Sequence, residues 1–117
     1  MNTKIAHIET SKRTYPLVFN LNVMEEIQEK YGSVDAWGTM TDNIDGVSVK
    51  DLKVGIMAMI NEGIDIENEE RGTNEPMVTD KQVGRIMTEI GIEVLFEKIH
   101  EITLSSTTDE DNTGKNE

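Results

Sequence analysis

The chain contains no cysteine, so neither a disulfide framework nor thiolate chemistry is open to it, which fits a reducing compartment. It has no long apolar run. The longest stretch, Val54 to Ile60, is far short of a membrane span. The start, Met1-Asn2-Thr3-Lys4-Ile5-Ala6-His7, is not followed by the apolar segment of a secretory signal. Positive charge is also scarce: 11 Lys and Arg stand against 23 Asp and Glu, a net charge of −12. The last 13 residues hold −3 of this, so −9 belongs to residues 1–104 and the acidity is not confined to a tail. Such a surface repels a phosphate backbone and an anionic bilayer, so neither nucleic acid nor membrane is an expected partner. Gly-rich phosphate loops and Gly-x-Ser-x-Gly elbows are absent as well.

What is present suits one domain. At 117 residues with 36% apolar content, a single thin core is expected, and self-association or a partner would add to its stability. Residues 4–9 and 14–19 are rich in β-formers and flank the turn-prone Thr10-Ser11-Lys12-Arg13, which predicts a β-hairpin. Alternation puts Ile5 and His7 on one face of the first strand and Ala6 and Ile8 on the other. Pro16 has no N–H and is expected at an edge or bulge.

Asn22 with Glu25 has capping-box spacing. The repeat Val23, Met24, Ile27, Tyr31 then predicts a helix over 22–31 with Gly32 as its stop. Ser33 to Trp37 reads as a short second helix and 43–46 as a loop. Ser48 and Asp51 suggest another cap. Val49, Leu52, Ile56, Met59 and Ile60 predict a helix over 49–62 ended by Gly63. Residues 64–78 read as an exposed acidic loop. Thr79 and Gln82 form the strongest capping box, opening a helix lined by Val83, Ile86, Met87 and Ile90. After Gly91, Ile92, Leu95, Phe96, Ile99 and Ile102 continue as a further helix. From Ser105 no apolar residue remains, so a tail without order is expected. The fold class is therefore α+β: an N-terminal β-hairpin, then a bundle of about four to five α-helices over 1–104, then a disordered acidic tail over 105–117.

Catalysis needs several groups held together, and only two histidines, His7 and His100, are available. A lone histidine near a helix end is commonly a surface group suited to the helix dipole. Glu97-x-x-His100 has the spacing of carboxylate-bridged di-iron bundles, but such sites need a second copy and two more helical glutamates, which only a dimer would bring. Read as a calcium loop from Asp65, the acidic stretch places Glu70 where glycine is required and Pro76 where a bidentate glutamate is required. A solvated charged loop is the simpler account. No catalytic, cofactor or metal residue is assigned. The six internal methionines read first as core. Val54, Ile56, Met57, Met59 and Ile60 make the 49–62 helix apolar around much of its circumference, so it is either central or covered by another chain.

The stretch Arg13-Thr-Tyr-Pro-Leu-Val-Phe-Asn-Leu-Asn-Val-Met-Glu-Glu-Ile-Gln-Glu-Lys-Tyr-Gly32 resembles the opening of the tail assembly chaperones of long-tailed bacteriophages and prophages of Gram-positive bacteria. There a short hairpin ends in Tyr-Pro-Leu, and the helix after it carries Glu-Ile-x-x-Lys-Tyr-Gly. Val78-Thr79-Asp80-Lys-Gln-Val83-Gly84-x-Ile86 and Ile90-Gly91 resemble the second half of the same family. The resemblance implies a non-enzymatic protein of the bacterial host cytoplasm. It would bind and solubilise the tape measure protein until tail tube subunits replace it, with no cofactor. Weak contacts made by many copies suit such a role, so self-association is expected. On this reading Val54, Met57, Ile60, Leu95, Phe96 and Ile99 are the partner-binding residues. A structural virion component such as a head–tail connector, or a dimeric metal-binding protein using Glu97 and His100, are the alternatives.

Overall fold

The computed structural model describes residues 5–33 and 49–115, with side chains as far as Thr103. Strands β1 (Ile5–Glu9) and β2 (Thr14–Val18) form an antiparallel hairpin, with Ile5 opposite Val18 and Glu9 opposite Thr14. Thr10 closes the turn. Its N–H and hydroxyl both donate to the Arg13 carbonyl, at 3.0 and 2.8 Å, and the hydroxyl oxygen accepts from the Arg13 N–H at 3.2 Å. Ile8 is buried while His7 is exposed, as the alternation predicts. The second strand behaves differently. Tyr15, Pro16, Leu17 and Val18 are all buried, so both of its faces are covered. A two-stranded sheet leaves each strand a free edge, where a residue with no N–H is tolerated.

Four helices follow among the described residues: α1 (Leu21–Tyr31), α2 (Val49–Arg71), α3 (Asp80–Ile90) and α4 (Ile92–Lys115). Together with the hairpin they give the α+β architecture expected from the sequence. Helix α1 is capped by Asn20, not by Asn22. The Asn20 side-chain oxygen accepts from the Val23 N–H at 3.1 Å. Asn22 instead donates to Glu62 on α2 at 2.9 Å, and Asn20 donates to the same carboxylate oxygen at 2.8 Å. Gly32 stops the helix at φ 87.

Helix α2 is the centre of the molecule and packs on β2, α1 and α3. Its apolar circumference is explained by that position, because Leu52, Ile56, Met59 and Ile60 are each 0% exposed. It also runs to Arg71, nine residues past the helix end expected from the sequence. Gly63 is not a stop but a buried mid-helix residue. A Cβ there would lie 2.8 Å from the Pro16 Cβ and 3.3 Å from the Pro16 carbonyl carbon. The glycine is a contact point between α2 and β2, and Ile64 beyond it is 2% exposed. The expected acidic loop therefore shrinks to Gly72–Thr79, with Gly72 at φ 67 as the true terminator. That loop is pinned to α2 by two asparagines. Asn61 accepts from the Val78 N–H at 2.8 Å and donates to its carbonyl at 3.2 Å. Asn68 accepts from the Glu75 N–H at 2.9 Å and donates to its carbonyl at 3.0 Å.

Helix α3 opens with the expected capping box: Gln82 N–H donates to the Thr79 hydroxyl at 3.2 Å and Thr79 N–H donates to the Gln82 side chain at 2.8 Å. Gly91, at φ 97, separates α3 from α4. Helix α4 places Leu95, Ile99 and Ile102 in the core. Its backbone is assigned helical to Lys115. The short helix expected over 33–37, apart from Ser33, the loop over 43–46 and the cap at Ser48 lie outside the described residues.

Candidate binding surface

The six residues expected to bind a partner divide into two groups. Ile60, Leu95 and Ile99 are 0%, 0% and 6% exposed and belong to the core. In this fold they offer a partner no surface. The physical reason is the position of α2 and α4: the faces that the sequence pattern left unassigned are used against the chain's own hairpin and helices. Val54, Met57 and Phe96 are half-buried, and Met57 and Phe96 pack against the core at its edge. These three retain some surface.

Glu97 and His100 are both exposed on α4. Among the described residues no group of three or more His, Cys, Asp or Glu side chains converges as a metal site would require. Asp65, Glu67, Glu69 and Glu70 lie on helix α2 and not on a loop, so they do not wrap a cation as a calcium loop does. His7 Nε2 stands 3.1 Å from a Glu67 carboxylate oxygen and ties β1 to the second half of α2. The Lys98 ammonium donates to the His7 carbonyl at 3.3 Å.

An open concavity lies elsewhere. A groove of about 650 Å³ runs between the first turns of α2, the exposed face of α3 and the start of α4. Val49 and Ile92 supply its apolar surface with the buried Met87 beneath, and Lys53, Lys81, Arg85 and Glu89 form its charged margin. Val49, the first residue of α2, is 53% exposed. Lys81, Gly84, Arg85 and Thr88 follow one another at helical spacing, so one face of α3 forms a whole wall. Gly84 keeps that wall low, and a Cβ there would meet only the end of Lys53, 3.4 Å from its Nζ.

The cations of this groove are not equivalent. Lys53 donates to Asp80 at 2.9 Å and is partly neutralised. Lys81 and Arg85 have no ion-pair or hydrogen-bond partner among the described residues. Glu89, one turn beyond Arg85, would be its natural i,i+4 partner. Its carboxylate instead accepts from the Ser11 N–H at 2.6 Å and from the Ser11 hydroxyl at 3.3 Å, at the tip of the hairpin. Arg85 also borders a smaller hollow of about 120 Å³ between α3 and the hairpin.

The apolar repeat of α3 marks only its buried side, so the groove on its other face leaves little trace in the sequence pattern. The available signal was two cations four residues apart, around a glycine, on a helix of a strongly acidic chain. That Val49 and Ile92 would complete the surface is a matter of tertiary arrangement.

Compared with protein-family models, curated proteins and solved structures, the chain shows no match. The fold and the groove define the class, an α+β domain with an open apolar concavity on its helical side. Among the described residues no helix is long and apolar enough to cross a membrane.

Proposed function

We infer that the chain is a non-enzymatic holder of a helical protein partner, acting as a phage tail assembly chaperone that keeps the tape measure protein soluble in the host cytoplasm before tail tube subunits take over. The observation that carries this reading is the groove over α3, an apolar concavity left open on a protein whose net charge of −12 keeps it soluble. The half-buried Val54, Met57 and Phe96 add apolar surface that a partner can reach. The residues of the family resemblance act here as joints of the fold. Pro16 sits on Gly63, the Tyr31 hydroxyl donates to Asp51 at 2.9 Å, and Thr79 with Gln82 forms the capping box.

The test is co-expression with the long helical protein encoded near this gene, followed by pull-down on a tagged copy of the chain. The expected result is a long protein that is insoluble alone and becomes soluble and bound when co-expressed, with several copies of this chain per partner by light scattering. A long protein that stays insoluble and unbound would refute the reading.

A further inference from the structure

We propose that the groove over α3 takes an acidic amphipathic helix, whose apolar stripe seats on Val49 and Ile92 and whose flanking carboxylates meet Lys81 and Arg85; this deepens, and rests on, the reading of the chain as a holder of a helical partner.

Charge complementarity selects the occupant. The protein carries −12 overall, yet Lys81 and Arg85 stand on this one wall, exposed and without a partner among the described residues. Glu89 also lines the groove, but its carboxylate accepts from the Ser11 N–H at 2.6 Å, and the three cations Lys53, Lys81 and Arg85 outnumber it there. A basic helix would face these two cations at close range, while an acidic one gains charge-assisted contacts with both. The protein's wider negative field does not cancel this preference. At physiological salt it is screened beyond about 8 Å, whereas contacts inside the groove are shorter than that. The apolar surface argues against a free anion as occupant, because an anion alone would leave Val49 and Ile92 facing water. Fork geometry on Arg85 and a point charge on Lys81 suit two carboxylates about one helical turn apart.

The experiment uses the full chain and fluorescent helix-forming peptides of about 18 residues, five turns long. One has a Leu/Met stripe flanked by Glu, a second has the same stripe flanked by Lys, and a third keeps the Glu but scrambles the stripe. Anisotropy is expected to show the first peptide binding at least about tenfold tighter than either of the others. Its affinity should fall as salt rises from about 0.05 to 0.3 M. The double variant Lys81→Glu/Arg85→Glu should reverse the preference between the Glu and Lys peptides. Gly84→Leu, which changes no charge, should abolish binding by filling the groove. Both variants are to be checked by circular dichroism. Should Gly84→Leu fail to fold, the double variant at exposed positions carries the test by itself.

Equal binding of the Glu and Lys peptides, an unchanged preference in the double variant, or displacement of the first peptide by inorganic phosphate would each overturn the proposal. So would concentration-dependent self-association that is lost in the double variant while no peptide binds, since the groove would then serve a second copy. The chaperone reading fails separately. If the double variant still solubilises the tape measure protein, the chaperone stands and this groove is not its grip. If the Glu peptide binds as described but the tape measure protein is never held, the groove stands without that partner.

Discussion

At the scale of single residues, two small contacts hold the architecture in register. Gly63 lets Pro16 lie directly on α2, with 2.8 Å to the position a Cβ would take. Gly63→Ala gains about 1 kcal/mol of helix propensity but drives a methyl into a rigid ring and a backbone carbon. We expect a net loss of about 1–3 kcal/mol, as for overpacked cores, read as a lower Tm with unchanged far-UV circular dichroism. A stabilised Gly63→Ala protein would show that the hairpin moves aside freely. Tyr31 is the second contact. Desolvation first, then its hydrogen bond to Asp51 and the negative charge of Asp51, push its phenol up to about 12 from the usual 10.0. The fold therefore resists ionisation that the unfolded chain undergoes freely. The stability tied to this proton is fully present below pH 10.0 and is lost as pH rises towards about 12. Denaturation followed across that window should show a fall in stability that is reduced in Tyr31→Phe. The substitution itself should cost about 1 kcal/mol at neutral pH through the lost hydrogen bond.

At the scale of elements, helix ends decide where the chain turns. Gly32, Gly72 and Gly91 all have positive φ and mark the ends of α1, α2 and α3. Two of these three ends are plain in the sequence. The end of α2 is not, because Gly63 interrupts the apolar pattern first and the residues after it are mostly charged. Composition alone reads such a stretch as loop. Burial of Ile64 against the fold and the two asparagine pins extend the helix instead. Asn61 is the stronger pin, since it satisfies both backbone groups of the buried Val78. Asn61→Ala should cost about 2 kcal/mol by leaving a buried N–H and C=O unpaired, a fall of about 8 °C in Tm for a domain of this size. Hydrogen exchange should quicken at Val78 before it does in α2.

At the scale of the whole molecule, α2 is the axis on which β2, α1 and α3 pack. Its central position separates core from surface among the residues first proposed for partner binding. Ile60→Glu would bury an unpaired charge at a site with 0% exposure, which exceeds what a marginally stable domain tolerates, so an unfolded protein is expected. Met57→Glu, at a half-buried edge position, should stay folded by circular dichroism and weaken partner capture in the co-expression assay. If both variants unfold, Met57 is core as well, and the groove over α3 is left as the main binding surface.

By itself the sequence determined the fold class, the alternation of the first strand, the caps at Thr79 and Gly32, and the break at Gly91. Each depends on neighbours within a few residues, where periodicity and local hydrogen bonding set the outcome. Only the tertiary structure decided that α2 continues past Gly63, that Asn20 and not Asn22 caps α1, that Ile60, Leu95 and Ile99 are core, and that Lys81 and Arg85 border an open groove. Those outcomes turn on contacts between residues tens of positions apart: Pro16 with Gly63, Glu62 with Asn20 and Asn22, Ser11 with Glu89. A pattern read along one chain records which faces are apolar. Which of those faces meet each other, and which stay open to water, is settled by the packing of the whole chain.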